Sequence, residues 1–186
     1  METAGIVRHP VGTSNRLHLF AEKYEAIPPV LFHEVIRATN VDVSRFSFYD
    51  MGCGKGRALL LASEYPFRNV VGVEFAPELA AVAERNLDVC KIRHRRCAEA
   101  RIVCGDAAEY RFPAGNSLIF FYNPFKEEIM SKVLDNILTS TNPAVERYIL
   151  YANPVLGSLL EDSARFSVVA RGNRYSVYRI LNASAE

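Results

Sequence analysis

Residues 46–74 read FSFYDMGCGKGRALLLASEYPFRNVVGVE, and the rest of the chain is organised around them. Phe46, Phe48, Tyr49 and Met51 form a short aromatic-rich run suited to a strand buried in a sheet. Gly52, Gly54 and Gly56 follow at alternate positions, so the backbone turns tightly and approaches a ligand with no Cβ in the way. Ala58 to Ala62 read as an apolar helix that Pro66 limits, and Asn69 to Glu74 as a second strand with Val70, Val71 and Val73. Strand, glycine turn, helix and acid-ended strand make half of an α/β unit. In such units the ligand sits outside the carboxyl ends of the strands.

The glycine spacing narrows the ligand. A dinucleotide fingerprint needs G-x-G-x-x-G with the pyrophosphate on the helix N-terminus, whereas this turn reads G-x-G-x-G with Asp50 just ahead of it. A carboxylate at that mouth repels a pyrophosphate and accepts a hydrogen bond from a ligand carrying an ammonium group. Both features count against the rival reading, an NAD-dependent oxidoreductase. Glu74, at the end of the second strand, is placed to accept from both hydroxyls of a ribose.

Here the sequence resembles the class I S-adenosylmethionine-dependent methyltransferases, whose first two motifs are D/E-x-G-x-G-x-G and a strand-end acid. Asp50-Met51-Gly52-Cys53-Gly54-Lys55-Gly56 fits the first without a gap, and Val71-Gly72-Val73-Glu74 fits the second. The resemblance implies S-adenosyl-L-methionine as cofactor, held by Asp50, Gly52, Cys53, Gly54, Gly56, Glu74 and Phe75. It also implies that Asp106, an acid just beyond the third strand, hydrogen-bonds the adenine amino group, with Ala107 beside it. More broadly, GKGRALLLA…GVE resembles the glycine motif and acid of the non-SET histone lysine methyltransferases and related bacterial proteins.

Composition bounds the alternatives. With 186 residues and 49% hydrophobic residues, the chain holds one good core and is too short for two comfortable domains. A formal charge of +1 gives no electrostatic case for tight, non-specific nucleic-acid binding. Cys53, Cys90, Cys97 and Cys104 form no C-x-x-C pair and read as reduced, mostly buried thiols, with no metal site. No apolar run reaches the roughly 18 residues of a membrane span, and the N-terminus lacks a signal-peptide core, so a soluble, cytoplasmic protein is expected.

Residues 1–23 mix Gly, Pro, Ser, Asn and charges and read as an irregular arm, with residues 24–186 as the methyltransferase domain. Pro28 and Pro29 suit the start of a helix running to Thr39. By the resemblance, the segment leading into it closes over the cofactor, with Tyr24 a candidate lid residue and an ordinary packed tyrosine as the alternative. Pro77 and Glu78 open a helix reaching Cys90. Lys91 to Arg96 is then either a patch for RNA or an acidic partner, or a set of solvated cations at a helix C-terminus. Arg101–Cys104 reads as the third strand and Asn116–Tyr122 as a central one. After a helix from Lys126 to Leu138 come a fifth strand at Arg147–Tyr151 and a short helix at Leu156–Asp162. Strands at Phe166–Ala170 and Tyr175–Leu181 flank Gly172-Asn173, a hairpin signal. The fold expected is α/β: one Rossmann-like domain, a mostly parallel seven-stranded sheet with a C-terminal antiparallel hairpin and helices on both faces.

The fourth strand ends in Asn123-Pro124-Phe125. Nitrogen-methylating enzymes of the class often carry N/D-P-P-Y/F here, so the resemblance gives these three residues the catalytic position, with Asn123 also touching the cofactor. This sequence has one proline where that motif has two, which leaves adenine specificity open. Asn followed by Pro also suits a helix N-cap, the competing account of Asn123. The reading is a methyltransferase acting on nitrogen, with a protein lysine or another protein amine or amide as first choice. A small-molecule acceptor comes next and RNA third. A non-catalytic cofactor-binding partner subunit is the alternative from another class.

Overall fold

The computed structural model describes residues 25–90, 95–140 and 144–181. Seven strands run in chain order as β1 Ser47–Met51, β2 Asn69–Glu74, β3 Glu99–Cys104, β4 Ser117–Tyr122, β5 Arg147–Ala152, β6 Phe166–Gly172 and β7 Tyr175–Ile180. They form one sheet ordered β3-β2-β1-β4-β5-β7-β6, parallel through β5 and antiparallel across β5–β7 and β7–β6. This is the architecture expected from the sequence. The central strands are apolar nearly throughout (SLIFFY in β4) because helices cover both faces of a parallel sheet.

Period-two alternation sorts the side chains into two cores. Phe48, Leu118, Phe120 and Leu150 face α1 Pro29–Ala38, α2 Arg57–Ser63 and α3 Pro77–Cys90, while Tyr49, Met51, Ile119, Phe121 and Tyr151 face α4 Glu127–Thr139 and α5 Ser158–Glu161. α1 starts on Pro29, where the missing N–H costs nothing, and buries Leu31, Phe32, Val35 and Ile36. α4 opens with Glu127 and Glu128 in its first turn and buries Ile129, Met130, Val133, Leu134 and Ile137.

Three local expectations change. The residue capping α4 is Lys126, not Asn123. An N-cap needs extended backbone, and Asn123 sits in the left-handed region at φ 50. In the hairpin, Gly172 pairs with Tyr175 inside the sheet, so the two-residue turn is Asn173-Arg174. Gly172 serves close approach instead, because a Cβ there would collide with the Tyr175 ring. Among the cysteines, Cys53 and Cys97 are buried as expected, but Cys104 is exposed, at the end of the edge strand β3.

Gly72, in the middle of β2, lets the glycine turn and α2 lie directly on the sheet. A Cβ at that position would stand 2.5 Å from Leu59 Cδ1 and 2.7 Å from Cys53 Sγ. Gly72→Ala is therefore expected to overpack this contact and cost ~1–3 kcal/mol of stability, read as a lower urea midpoint with an unchanged slope.

Candidate cofactor and acceptor site

The neighbours of β1 are β2 on one side and β4 on the other, so the sheet's connections diverge at β1 and open a crevice at the strands' carboxyl ends. The turn after β1 fills the floor of that crevice. Gly52, Gly54 and Gly56 all take left-handed backbone, at φ 81, 53 and 80. Gly52 and Cys53 both donate their N–H groups to the Val73 carbonyl, at 2.8 and 3.1 Å, which ties the turn to β2. From α3, the Asn86 side chain donates to the Lys55 carbonyl at 3.0 Å. A Cβ on Gly52 would lie 2.5 Å from Pro124 Cβ, so the glycine turn and the Asn-Pro corner after β4 meet at that glycine.

Two buried acids face this turn. The Glu74 carboxylate accepts from the Gly54 N–H at 2.8 Å and from the Ala76 N–H at 3.0 Å. Asp50 is only 4% exposed, and no described residue donates a hydrogen bond to its carboxylate. Burial, and then the charge of Glu74, push its carboxyl up to about 8. The same burial, with Asp50 and Glu74 adding to it, drives the Cys53 thiol well above its ordinary value, so it is a packed neutral thiol.

On the β4 side, Asn123 Oδ1 accepts from the Tyr151 hydroxyl at 3.3 Å. Phe125 is buried edge-on to Phe121. The Tyr122 hydroxyl is buried with no hydrogen-bond partner among the described residues. Its ionisation is pushed up first by burial and then by Glu25, while Arg174 opposes.

Nine of the residues singled out in the sequence line one cleft: Asp50, Gly52, Cys53, Gly54, Glu74, Phe75, Asn123, Pro124 and Phe125. Three others do not line it. Gly56 caps α2, and a Cβ there would lie 3.2 Å from Ala83 Cβ in α3. Asp106 turns its carboxylate onto the Ala108 N–H at 2.8 Å, capping the 3-10 turn Ala107–Glu109, and Ala107 is buried under α4. Tyr24 lies outside the described residues, as do residues 91–94 of the basic run. Arg95 of that run donates to the Cys97 and Ala98 carbonyls.

Sequence reasoning missed Glu25, Ile27, Arg57, Leu79, Phe120 and Tyr122, which also line the cleft. Arg57 and Tyr122 directly adjoin the two motifs, and adjacency was the signal available for them. A second, polar cavity of about 140 Å³ lies near the amino ends of the strands, beside Ser47, Asn69, Glu99 and Asn116, away from the glycine turn.

A sheet of this order, with a left-handed glycine turn after β1 and an acid closing β2, defines the class I, Rossmann-like methyltransferase fold. The family description "Methyltransferase domain" matches residues 48–144, and the chain belongs to that family, whose cofactor is S-adenosylmethionine. Among solved structures, it is similar to an RNA methyltransferase from Salinibacter ruber in complex with S-adenosyl-L-homocysteine. The TM-score is 0.60 at 16% identity, covering 87% of this chain and 96% of that one. It is also similar to TrmN from Thermus thermophilus (0.61, 19%, covering 84% and 50%). A third is a ribosomal protein L11 methylase from Lactobacillus delbrueckii subsp. bulgaricus (0.58, 14%, covering 82% and 76%). No curated protein matches the sequence. Among the described residues, no helix is long and apolar enough to cross a membrane.

Asp50 gives a pH signature. The unfolded chain releases this proton near 3.8 and the folded protein near 8, so between those values the folded state holds the extra proton. The stability Asp50 contributes is complete at low pH and is lost as pH rises through that window. The ligand-free protein is expected to lose more melting temperature between pH ~5 and ~8 than Asp50→Asn does. Equal pH dependence in the two proteins contradicts the assignment.

Proposed function

We propose that this chain methylates a nitrogen acceptor, a protein amine or amide before a small molecule or RNA. The cleft suits the family's cofactor. An Asp50 carboxylate without a donor is available to an ammonium group, and the glycines bring bare backbone beside it. Glu74, at the end of β2 with its two carboxylate oxygens held by the Gly54 and Ala76 N–H groups, stands where the family's strand-end acid meets the ribose. When bound, the cofactor supplies an electrophilic methyl group on a positively charged sulfur.

The chain's own part is then positioning. The leaving thioether is neutral, so no acid is needed to assist departure, and orientation with exclusion of water provides most of the acceleration. The observation that carries the nitrogen reading is Asn123. Its left-handed backbone aims the corner after β4 into the cleft, where its carboxamide is available to an N–H of the acceptor. A formal charge of +1 over the chain offers no general attraction for a phosphate backbone, which favours a protein acceptor. The solved neighbours include methyltransferases named for RNA and for a ribosomal protein, so their names do not choose between the two.

Tritiated-methyl transfer to cell extract tests this. Protease-sensitive, alkali-stable label is expected; nuclease-sensitive label indicates RNA, and alkali-labile label indicates an ester and overturns the nitrogen reading. Asn123→Ala is expected to lose at least about tenfold in single-turnover rate while its S-adenosylhomocysteine affinity stays within about threefold.

A further inference from the structure

We infer that Tyr151 is a positioning residue that acts through Asn123, holding its carboxamide in one orientation toward the methyl acceptor. This rests on the role of Asn123 proposed above. Tyr151 is fully buried near the end of β5, with its ring edge-on to Phe121 at 5.9 Å. Its hydroxyl accepts from the Leu156 N–H at 3.4 Å and donates to Asn123 Oδ1 at 3.3 Å. A phenol has a single proton, and with the Leu156 N–H on its oxygen that proton is directed at Asn123. Both contacts are long for hydrogen bonds, as catalytic ones often are before the substrate arrives.

The loop after β5 is built to deliver that N–H. Asn153 takes left-handed backbone at φ 52 and is followed by Pro154, repeating the Asn-Pro corner that ends β4. The register Tyr122↔Ala152 sets the two corners side by side. Val155 N–H on the Asn153 carbonyl at 2.8 Å and Gly157 N–H on the Pro154 carbonyl at 3.2 Å fold the chain back, so that Leu156 N–H meets the phenol. Asn153 N–H on the Arg174 carbonyl at 2.6 Å anchors the corner to the hairpin turn.

The consequence is a choice between two faces of one amide. Rotating the Asn123 carboxamide by half a turn would set its NH₂ group against the hydroxyl and break the bond that Tyr151 donates to Oδ1. The oxygen therefore stays toward Tyr151 and keeps its second lone pair. That lone pair accepts the N–H of the acceptor, whereas an NH₂ group turned toward the acceptor would donate to the nitrogen lone pair that must attack the methyl carbon. Without the hydroxyl both orientations are populated, and the acceptor nitrogen loses its fixed aim.

Wild type, Tyr151→Phe, Asn123→Ala and the double variant test this, all measured below the melting temperature of the least stable. The acceptor is the protein fraction of extract from cells lacking the gene, methylated in single turnover at saturating S-adenosylmethionine. Tyr151→Phe keeps the ring and is expected to slow transfer about tenfold, with S-adenosylhomocysteine affinity within about twofold. In the cofactor-free protein it is expected to shift the side-chain amide NMR signal of Asn123, identified by its loss in Asn123→Ala. The double variant is expected to be no slower than Asn123→Ala, since a residue acting through Asn123 has nothing left to act on. Full tenfold losses that add in the double variant overturn the inference, as do wild-type transfer by Tyr151→Phe or an unmoved amide signal. If Asn123→Ala is wholly inactive, the amide signal decides. If Asn123→Ala transfers like wild type, the acceptor role of Asn123 fails and the relay with it; an impaired Asn123→Ala beside an unimpaired Tyr151→Phe removes the relay alone.

Discussion

One buried carboxylate, that of Glu74, accepts the backbone N–H groups of Gly54 and Ala76, and the cofactor half of the site depends on that pair of contacts. Hydrogen bonds to a charged group are worth ~1.5–3 kcal/mol each, yet burying the charge costs several kcal/mol. The net effect on stability is therefore small. What the arrangement provides is geometry: the turn after β1 is held to the end of β2 by Glu74 from one side and by the Val73 carbonyl from the other. The same acid has an electrostatic consequence. Burial, with the charge of Glu74 adding to it, raises the Asp50 carboxyl to about 8, and a positive group bound beside it would stabilise its charged form.

The acceptor half depends on a different constraint. Asn123 and Asn153 end adjacent parallel strands in the left-handed conformation, which asparagine adopts more readily than other residues with a side chain. Each corner sends the chain away from the sheet before a helix begins, leaving Asn123 on the cleft instead of at a helix cap. Pro124 packed against Gly52 joins the two halves, so the spacing between cofactor turn and acceptor corner is set by a contact that tolerates no additional carbon.

Much of this was legible in the sequence, for local reasons. Val70, Val71 and Val73 announce a strand that runs from Asn69 to Glu74, and Pro77-Glu78 opens a helix that runs to Cys90, since periodicity and end signals reside in neighbouring residues. The glycine turn and its two acids were legible because their spacing is itself the geometry. The backbone of Asn123 was not: Asn-Pro fits a helix cap and a left-handed corner equally well, and only packing around Gly52 and Tyr151 selects the second. Gly172 misled for a similar reason, since the ring that requires a glycine there belongs to the opposing strand. Asp106 and Ala107 follow β3 as the resemblance expects, but the side-chain cap and the packing under α4 that place them off the cleft are tertiary facts. Tyr151 is 28 residues from Asn123 and carries no motif at all.

The central claim is that Glu74 organises a cofactor cradle as well as a turn. Calorimetry with S-adenosylhomocysteine on wild type and Glu74→Gln tests it most directly. The amide has the shape of the carboxylate but turns one acceptor into a donor, which must then oppose either a backbone N–H or a ribose hydroxyl. Binding by the wild type, and a loss of at least about tenfold in Glu74→Gln at a temperature where both are folded, is the result predicted. Equal affinity in the two proteins would contradict it.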